Sequence, residues 1–428
     1  MISACRCACA CLALLILSSD KVAAADWPQW RGPERNGHVP VSEKIPAQLP
    51  PEPKTIWRLN CGESLASPVV ARGKVFHLDG RAGKETLIAL DANDGREVWQ
   101  AVIDDVFRDM QGPAGPRATP MVEGDRVYAL SCKGELQCRS TADGQLIWRA
   151  NYTQDFEAVF IGEKGGALGA TRHGNNGTPI IDGPHLIGCV GGTNGAGVVC
   201  FDKLNGRVVW KSTSEAAAYA PPIVATLAGR KQGICFMAEA LLGLDRGSGE
   251  LLWRVPMKTA FGRHVTTPVV HGDVVIVASH QVGLVGTRIV REGDGFKAEQ
   301  AWLSKESAIN FASPVLVGDF LYGLGPEKNL FCVEAATGKL RWTKAGYFVS
   351  SSDKAHASFL VLGKNLLVLT DAGQLVLIEA NPNEFREISR AQICGFNWCN
   401  PAYADGRLYV RDGIKTTGDL ICVDLLGD

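Results

Sequence analysis

Arginine, histidine and amide side chains recur just before a series of short proline-containing segments, and residues of these types could bind an anion. The candidate set comprises Arg117, Arg172, His173, Tyr219, Arg263, His264, Asn310, His356, Asn397 and Trp398, with His280 on a loop nearby. Acidic residues are few beside them, and Glu63 is the nearest. Because guanidinium groups bind carboxylates and phosphates through paired hydrogen bonds, the set predicts a basic pocket for an anionic ligand.

Two other roles are open for the same side chains. They could hydrogen-bond neighbouring loops and seal a pore, which is a structural role. Three of the histidines could also hold a metal ion, but they lack the close spacing in sequence that metal ligands commonly show. We therefore predict no metal site.

The elements that must position these residues form a repeat. One unit opens with Ser67-Pro68-Val69-Val70, turns at Gly73 and ends with Ala89-x-Asp91-x-x-x-Gly95-x-x-x-Trp99. The openings occur at eight positions, spaced 42 to 59 residues apart, which are Pro68, Pro120, Pro179, Pro222, Pro268, Pro314, Phe359 and Pro401. The ending recurs as a glycine followed four residues later by a tryptophan, at Gly144/Trp148, Gly206/Trp210, Gly249/Trp253 and Gly338/Trp342.

Each unit predicts four β-strands. Alternating apolar runs are typical of strands, pairs such as Asp-Gly favour tight hairpins, and proline fits the start of a strand. Four-stranded units at this period form the blades of a β-propeller. The last unit, 401–428, lacks the tryptophan strand, whereas Thr55-Ile56-Trp57-Arg58-Leu59 is such a strand with no unit before it. We therefore predict an all-β, eight-bladed propeller of four-stranded antiparallel blades, closed by an N-terminal strand that completes the C-terminal blade. Two domains would fit the length, but the evenly spread repeat argues against them.

The motif around Trp99 resembles the tryptophan-docking motif of quinoprotein propellers, the pyrroloquinoline quinone (PQQ) repeat family. The resemblance covers nearly all of the chain after residue 25. It implies that each motif tryptophan, Trp57 and Trp302 included, packs against the glycine peptide of the next motif. Two units depart from the pattern, because Gly293-Asp294-Gly295 precedes Trp302 and Phe385 stands in place of a tryptophan. The segment 27–33, Trp-Pro-Gln-Trp-Arg-Gly-Pro, also resembles the start of exported bacterial PQQ-binding-like propellers.

The resemblance implies two kinds of function. In a PQQ-dependent dehydrogenase, Arg117, Arg172 and Arg263 would bind the carboxylates of the quinone, with calcium present and Trp398 as a stacking floor. The chain has no adjacent cysteine pair, no CxxCH haem motif and no recognisable set of calcium ligands with a catalytic aspartate. The family also includes the lipoprotein scaffold of outer-membrane β-barrel assembly, which has the same simple architecture.

We therefore predict a non-catalytic scaffold that binds a protein partner or an anionic small molecule and needs no cofactor. The PQQ-dependent dehydrogenase is the alternative. A glycan-binding module, which would use aromatic residues such as Tyr219, Phe311 and Trp398, is a further alternative that nothing in the sequence selects.

Residues 1–25 have the pattern of a secretory signal peptide, with Arg6, an apolar run at 12–17 and Ala23-Ala24-Ala25 before the cleavage point. No apolar stretch is long enough to predict a transmembrane helix. The 44 basic and 45 acidic residues nearly balance, which gives no indication of nucleic-acid binding. We predict an exported protein, periplasmic or extracellular, with a signal peptide at 1–25, an N-terminal clasp at 26–54 and the propeller at 55–428.

Ten cysteines follow the predicted signal peptide. Four of them share one slot of the repeat with Ala89 and Gly243, namely Cys138, Cys200, Cys332 and Cys422. A slot that accepts Ala, Gly or Cys favours a small buried side chain. Cys394 with Cys399, or Cys132 with Cys138, could form disulfides, and the sequence does not decide between pairings.

The clasp segment is expected to run along the surface of the first and last blades. In this interpretation Trp27 and Trp30 are buried anchors, and Arg31 is bonded to a carbonyl or a carboxylate. Function is expected on the loops of one face. The longest connections from a tryptophan to the next opening are Trp99–Pro120 and Trp148–Pro179, which take 21 and 31 residues.

Overall fold

The computed structural model describes residues 26–108, 114–162, 167–351, 354–413 and 417–427. The predicted signal peptide and part of the glycine-rich stretch 162–169 lie outside them. No helix in these ranges is long and apolar enough to cross a membrane.

The chain forms eight antiparallel sheets of four strands each, arranged as the blades of a propeller. The strands of each blade are given from the innermost outward. Blade 1 consists of β2 (Val69–Ala71), β3 (Lys74–Arg81), β4 (Lys84–Asp91) and β5 (Glu97–Asp105), and blade 2 of β6 (Met121–Glu123), β7 (Arg126–Leu130), β8 (Glu135–Ser140) and β9 (Leu146–Asn151). Blade 3 consists of β10 (Ile180–Asp182), β11 (His185–Cys189), β12 (Val198–Asp202) and β13 (Val208–Ser212), and blade 4 of β14 (Ile223–Leu227), β15 (Arg230–Phe236), β16 (Ala240–Asp245) and β17 (Leu251–Pro256).

The other four are blade 5 with β18 (Val269–His271), β19 (Val274–Ser279), β20 (Gly283–Glu292) and β21 (Gly295–Ser304); blade 6 with β22 (Val315–Val317), β23 (Phe320–Leu324), β24 (Leu330–Glu334) and β25 (Leu340–Lys344); blade 7 with β26 (Ala357–Leu362), β27 (Asn365–Thr370), β28 (Gln374–Glu379) and β29 (Glu387–Gln392); and blade 8 with β30 (Ala402–Ala404), β31 (Arg407–Arg411), β32 (Gly418–Asp424) and β1 (Lys54–Cys61). Short helices α1 (Tyr152–Phe156) and α2 (Ala170–His173) and the 3₁₀ helix Ala260–Gly262 lie on connections between blades. The two ends of the propeller differ. We call the end where the connections between blades lie the loop face. The opposite end, which has the turns between the first and second and between the third and fourth strands of each blade, is the hairpin face.

The ring closes where the sequence predicts. Strand β1 pairs antiparallel with β32, with Trp57 opposite Cys422. The eight-bladed fold with an N-terminal closing strand is therefore confirmed. The seam is also held on the loop face, where Arg411 of β31 and Asp79 of β3 are 1% and 0% exposed and form an ion pair of 3.3 Å.

Neighbouring blades are held together by tryptophan–glycine contacts on the hairpin face. Trp99 donates from Nε1 to the carbonyl of Thr141 at 3.1 Å. A Cβ on Gly144, where φ is +74°, would lie 2.6 Å from the Trp99 ring. Only glycine therefore fits this turn. The same contact joins Trp57 to Gly95, Trp148 to Gly206, Trp210 to Gly249 and Trp302 to Gly338.

Three blade junctions use other contacts. Trp253 donates to Gln232 Oε1 of its own blade at 2.6 Å, and the long hairpin β20–β21 of blade 5 packs against β17 in place of a docking turn. In blade 7, Ser389 pairs with Leu377 next to the bulge between the third and fourth strands. In blade 2, the residue at the equivalent position next to the bulge is Trp148, which pairs with Cys138. Ser389, and not Phe385, therefore occupies the tryptophan position. Phe385 lies in the preceding turn and packs edge-on against Trp342, with ring centroids 5.6 Å apart.

The N-terminal segment fills the axial channel. Residues 26–40, which we call the plug, touch the inner strands of blades 1, 2 and 7: Trp27 N–H donates to the carbonyl of Val70 at 2.7 Å, Val122 N–H to that of Pro28 at 2.8 Å, and Val361 N–H to that of Gly37 at 2.8 Å. The chain then passes blades 7 and 8 and enters β1, as Leu49 N–H donates to Ser389 Oγ at 2.8 Å.

The expected path of this segment over the surface of the first and last blades is therefore wrong. The indole of Trp27 is 1% exposed and Arg31 is 3% exposed, so both lie inside the ring. Arg31 does bond to a carbonyl as predicted, donating from Nη2 to Pro314 at 2.5 Å. Trp30 is half-buried and donates from Nε1 to Thr267 Oγ1 at 2.9 Å.

Candidate functional site

The centre of the channel is occupied by a buried arginine of the plug. Arg35 is 3% exposed and donates from Nη1 to the carbonyls of Thr178 and Pro222 at 3.0 and 3.1 Å, and from Nη2 to the carbonyl of Pro179. Its Nε donates to Gln29 Oε1 at 2.8 Å. Burial lowers the pKa of Arg35 to about 9, and it lowers that of Arg31 to about 10. Both guanidinium groups therefore remain protonated at neutral pH.

These contacts place Arg35 and Trp30 where the inner strands begin, which is the loop-face end of the channel. The plug therefore closes the axis at its loop-face end.

Three of the candidate funnel residues are buried inside blades. His264 is 0% exposed, stacks on Phe236 with ring centroids 4.0 Å apart and lies 3.0 Å from the carbonyl of Met257. His356 lies 3.3 Å from Ser358 Oγ, and Asn397 donates to the carbonyl of Thr370 at 3.0 Å. Burial lowers the pKa of His264 and of His356 to about 4, so both imidazoles are neutral at pH 7. All three side chains are therefore buried against neighbouring groups of the protein, and their part in a ligand site stays a prediction.

A first group of candidates lies on the two longest connections. Arg117 donates from Nη1 to the carbonyl of His173 at 2.6 Å, and its guanidinium lies 5.9 Å from the Phe107 ring. The His173 and Tyr219 rings are 6.2 Å apart. This group ties the loops around blades 2, 3 and 4 together.

Arg172, also on the longest connection, stacks its guanidinium 4.2 Å above the ring of Phe261. Phe261 lies between blades 4 and 5 and is 43% exposed. A cation stacked on an aromatic ring is stabilised by the ring quadrupole. The pair forms a basic and apolar spot on the loop face.

A second group surrounds a pocket between blades 5 and 6. Arg263 donates from Nη2 to Asn310 Oδ1 at 2.7 Å and lies 5.1 Å from the Phe311 ring, which is 5.3 Å from Trp398. The pocket has a volume of about 190 Å³, and its lining includes Arg263, His280, Asn310, Phe311, Leu324 and Pro326. Burial, followed by the charge of Arg263, lowers the pKa of His280.

Two acidic residues outside the predicted set also lie near the loop face. Glu85 is buried, accepts a hydrogen bond from Cys132 N–H at 3.0 Å, and has its pKa raised to about 8 by burial. Asp371 accepts hydrogen bonds from Val349 and Ser350 N–H groups at 3.2 and 3.0 Å. These carboxyl groups lie on or next to the middle strands, whereas nearly all of the predicted candidates lie before the openings. A basic funnel therefore stays a prediction.

The loop face also exposes large apolar side chains. They lie on four connections between blades and comprise Val159 (52% exposed), Ile161 (50%), Phe261 (43%), Val349 (69%) and Phe396 (42%). We call these five residues the loop-face patch. A contiguous exposed apolar surface is typical of a protein that binds another protein.

In the described ranges, no group of three or more His, Cys, Asp or Glu side chains is placed to hold a metal ion. The three arginines that the resemblance assigns to quinone carboxylates are bonded to different neighbours, as described above for Arg117, Arg172 and Arg263. The described residues therefore do not fit a PQQ–calcium site.

The fold and its tryptophan–glycine junctions define the class of protein, an eight-bladed propeller of PQQ-like repeats. A family model described as outer membrane protein assembly factor BamB matches residues 51–163 and 84–344, and the chain belongs to that family.

Two curated relatives carry the same description, outer membrane protein assembly factor BamB. The protein from Shewanella oneidensis is 23% identical over 273 residues, which are 60% of this chain and 63% of the relative. The protein from Burkholderia pseudomallei is 24% identical over 291 residues, 63% of this chain and 64% of the relative. The matched part thus spans less than two thirds of the length of these curated relatives.

Solved structures with the same fold include BamB from Moraxella catarrhalis, with a TM-score of 0.57 and 15% identity over 87% of this chain and 97% of that one. Quinohemoprotein alcohol dehydrogenase from Comamonas testosteroni has a TM-score of 0.50 and 14% identity over 94% of this chain and 81% of that one. At these identities the likeness shows the fold alone.

Proposed function

We propose that this protein is an exported, non-catalytic scaffold in outer-membrane protein assembly and that it binds another assembly component through the loop-face patch. The observation that carries the proposal is that apolar side chains are exposed around a funnel that the plug closes from within. Family membership and the description of the relatives support the assembly role.

The closed funnel favours a large partner over a small one. The plug occupies the axis, so the loop face offers a broad rim around a shallow recess. Phe261 with Arg172 stacked on it at 4.2 Å is the best candidate for an anchor, because aromatic and arginine side chains dominate the energetics of protein interfaces. The partner is expected to be a protein domain that lies across the rim of the loop face.

A deletion strain tests the assembly role. We expect lower amounts of folded outer-membrane β-barrel proteins when the gene is deleted, recovery with the wild type, and failure to recover with Phe261→Glu. Leu251→Glu is the matched control, because Leu251 is 44% exposed, almost the same as Phe261, but lies on the outer strand of blade 4. Unchanged barrel levels in the deletion strain would refute the assembly role.

A second candidate is an anionic small molecule in the pocket beside Arg263, and its volume of about 190 Å³ favours this candidate. The carboxylate of such a ligand would compete with Asn310 for the guanidinium. The test is the melting temperature with a small aromatic carboxylate added at millimolar concentration. An increase that Arg263→Gln abolishes would support the pocket, and unchanged melting would exclude this ligand.

A further inference from the structure

Two cysteines of neighbouring blades lie in the same blade interface. Cys189 ends β11 of blade 3, and Cys235 lies in β15 of blade 4. They are 7% and 0% exposed, and both belong to the apolar core between blades 3 and 4. In the structure both are thiols.

The strand register directs the Cys189 side chain toward blade 4. Ile187 pairs with Cys200, and Cys200 pairs with Trp210. Directly paired residues lie on the same side of a sheet, and Trp210 contacts Gly249 of blade 4. Cys189 is two residues after Ile187 in the same strand, so it is on that side too.

The same reasoning directs Cys235 toward blade 3. Ile234 pairs with Gly243, and Gly243 pairs with Trp253, so Ile234 is on the side of blade 4 that faces blade 5. Because successive side chains in a strand alternate, Cys235 is on the opposite side. The two thiols therefore point at each other across the interface. A hydrogen bond between them, together with burial, raises the pKa of Cys235 well above its ordinary value.

We propose that Cys189 and Cys235 form a disulfide that joins blades 3 and 4 when the chain folds in an oxidising compartment. The oxidant is an external disulfide, which is reduced to two thiols as the cysteine pair loses two electrons and two protons. One cysteine thiolate displaces a thiol to give a mixed disulfide, and the other cysteine then displaces the second thiol. This step goes beyond the scaffold function and does not depend on it.

Burial determines when the exchange takes place. A thiol that is 0% exposed cannot meet an external disulfide while blades 3 and 4 are packed together. The bond therefore forms before this interface closes. Once formed, it closes a loop with 45 residues between positions 189 and 235, which restricts the unfolded chain.

The experiment refolds the reduced wild-type chain with oxidised glutathione, blocks free thiols in denaturant, and analyses tryptic peptides without reductant. Residues 173–203 and 232–246 are tryptic peptides that hold Cys189 with Cys200, and Cys235 alone. We expect a linked pair of these peptides, lighter by two hydrogen atoms than their sum. The oxidised protein should also melt several degrees above the reduced one.

Three variants assign the bond. Cys200→Ala is the matched control, because Cys200 lies in the same core as Cys189 and should leave the linked peptides unchanged. Cys189→Ala and Cys235→Ala should each abolish them. Complete alkylation of both thiols in the refolded wild type would overturn the proposal, as would a link that survives Cys189→Ala.

Discussion

Arg35 donates a hydrogen bond to the carbonyl oxygen of Pro222, 3.1 Å away, although 187 positions separate the two residues in the chain. The same nitrogen donates to the carbonyl of Thr178 at 3.0 Å, so one guanidinium joins blades 3 and 4 at the axis. The innermost strand of each blade has no neighbouring strand on the side of the axis, so carbonyl groups there lack a backbone hydrogen-bond donor. The plug supplies donors to these carbonyls. The N-terminal segment is therefore part of the propeller's core.

Replacement of Arg35 with methionine should lower the free energy of unfolding by about 3 kcal/mol, because buried carbonyls would lose their donors at 1–3 kcal/mol each. Urea unfolding measures the change. Arg96→Met is the control, since the Arg96 side chain is 73% exposed, and it should alter stability by less than about 0.5 kcal/mol. Equal stability of the two variants would show that the plug does not hold the ring together.

The plug's own fold depends on Gly32. Its φ is +84°, and a Cβ there would lie 2.8 Å from the Trp27 ring. Gly32→Ala should therefore cost both the backbone strain of about 1–2 kcal/mol and the displacement of a buried indole. Gly73 also has a positive φ, +71°, but a Cβ there would meet nothing within 4 Å. Gly73→Ala therefore measures the cost of the backbone strain alone. A thermal melt in which Gly32→Ala loses no more than Gly73→Ala would contradict this packing.

Glu85 should make stability fall as the pH rises. Its pKa is about 8 in the folded chain against 4.5 for an unperturbed glutamate, so between these values the folded state keeps a proton that the unfolded state has released. Stability is then lost progressively from pH 4.5 to about 8. Glu85→Gln imitates the protonated carboxyl, so it should gain on the order of a few kcal/mol over the wild type between pH 6 and 8.5. Parallel curves of unfolding free energy against pH would show that Glu85 is ionised in the folded state.

The fold could be predicted because the same short sequence pattern recurs in most blades. Proline before β2, glycine after it and tryptophan in β5 recur often enough that single departures do not matter. Register was harder to predict. The tryptophan position of blade 7 holds Ser389, and an aromatic residue four positions earlier gave a misleading match.

The path of the plug could not be predicted, because its partners are backbone carbonyls. Thr178, Pro179 and Pro222 accept hydrogen bonds through groups that every residue carries, so no side-chain pattern marks them. The candidate ligand site stays a prediction, although the structure shows where its residues lie. Arg263, Asn310 and His280 do meet at one pocket, whereas His264 and His356 lie in the core. Residues before an opening share a position in the repeat, but some of their side chains line the pocket and others are buried in the core.

The central claim is that the loop face binds another component of outer-membrane protein assembly. The most direct measurement is photo-crosslinking in cells from a photoreactive amino acid at position 261, with position 251 as the control of nearly equal exposure. Mass spectrometry identifies the adducts. We expect an adduct with an assembly component from position 261 and none from position 251. No such adduct at 261, or the same adduct from both positions, would contradict the account.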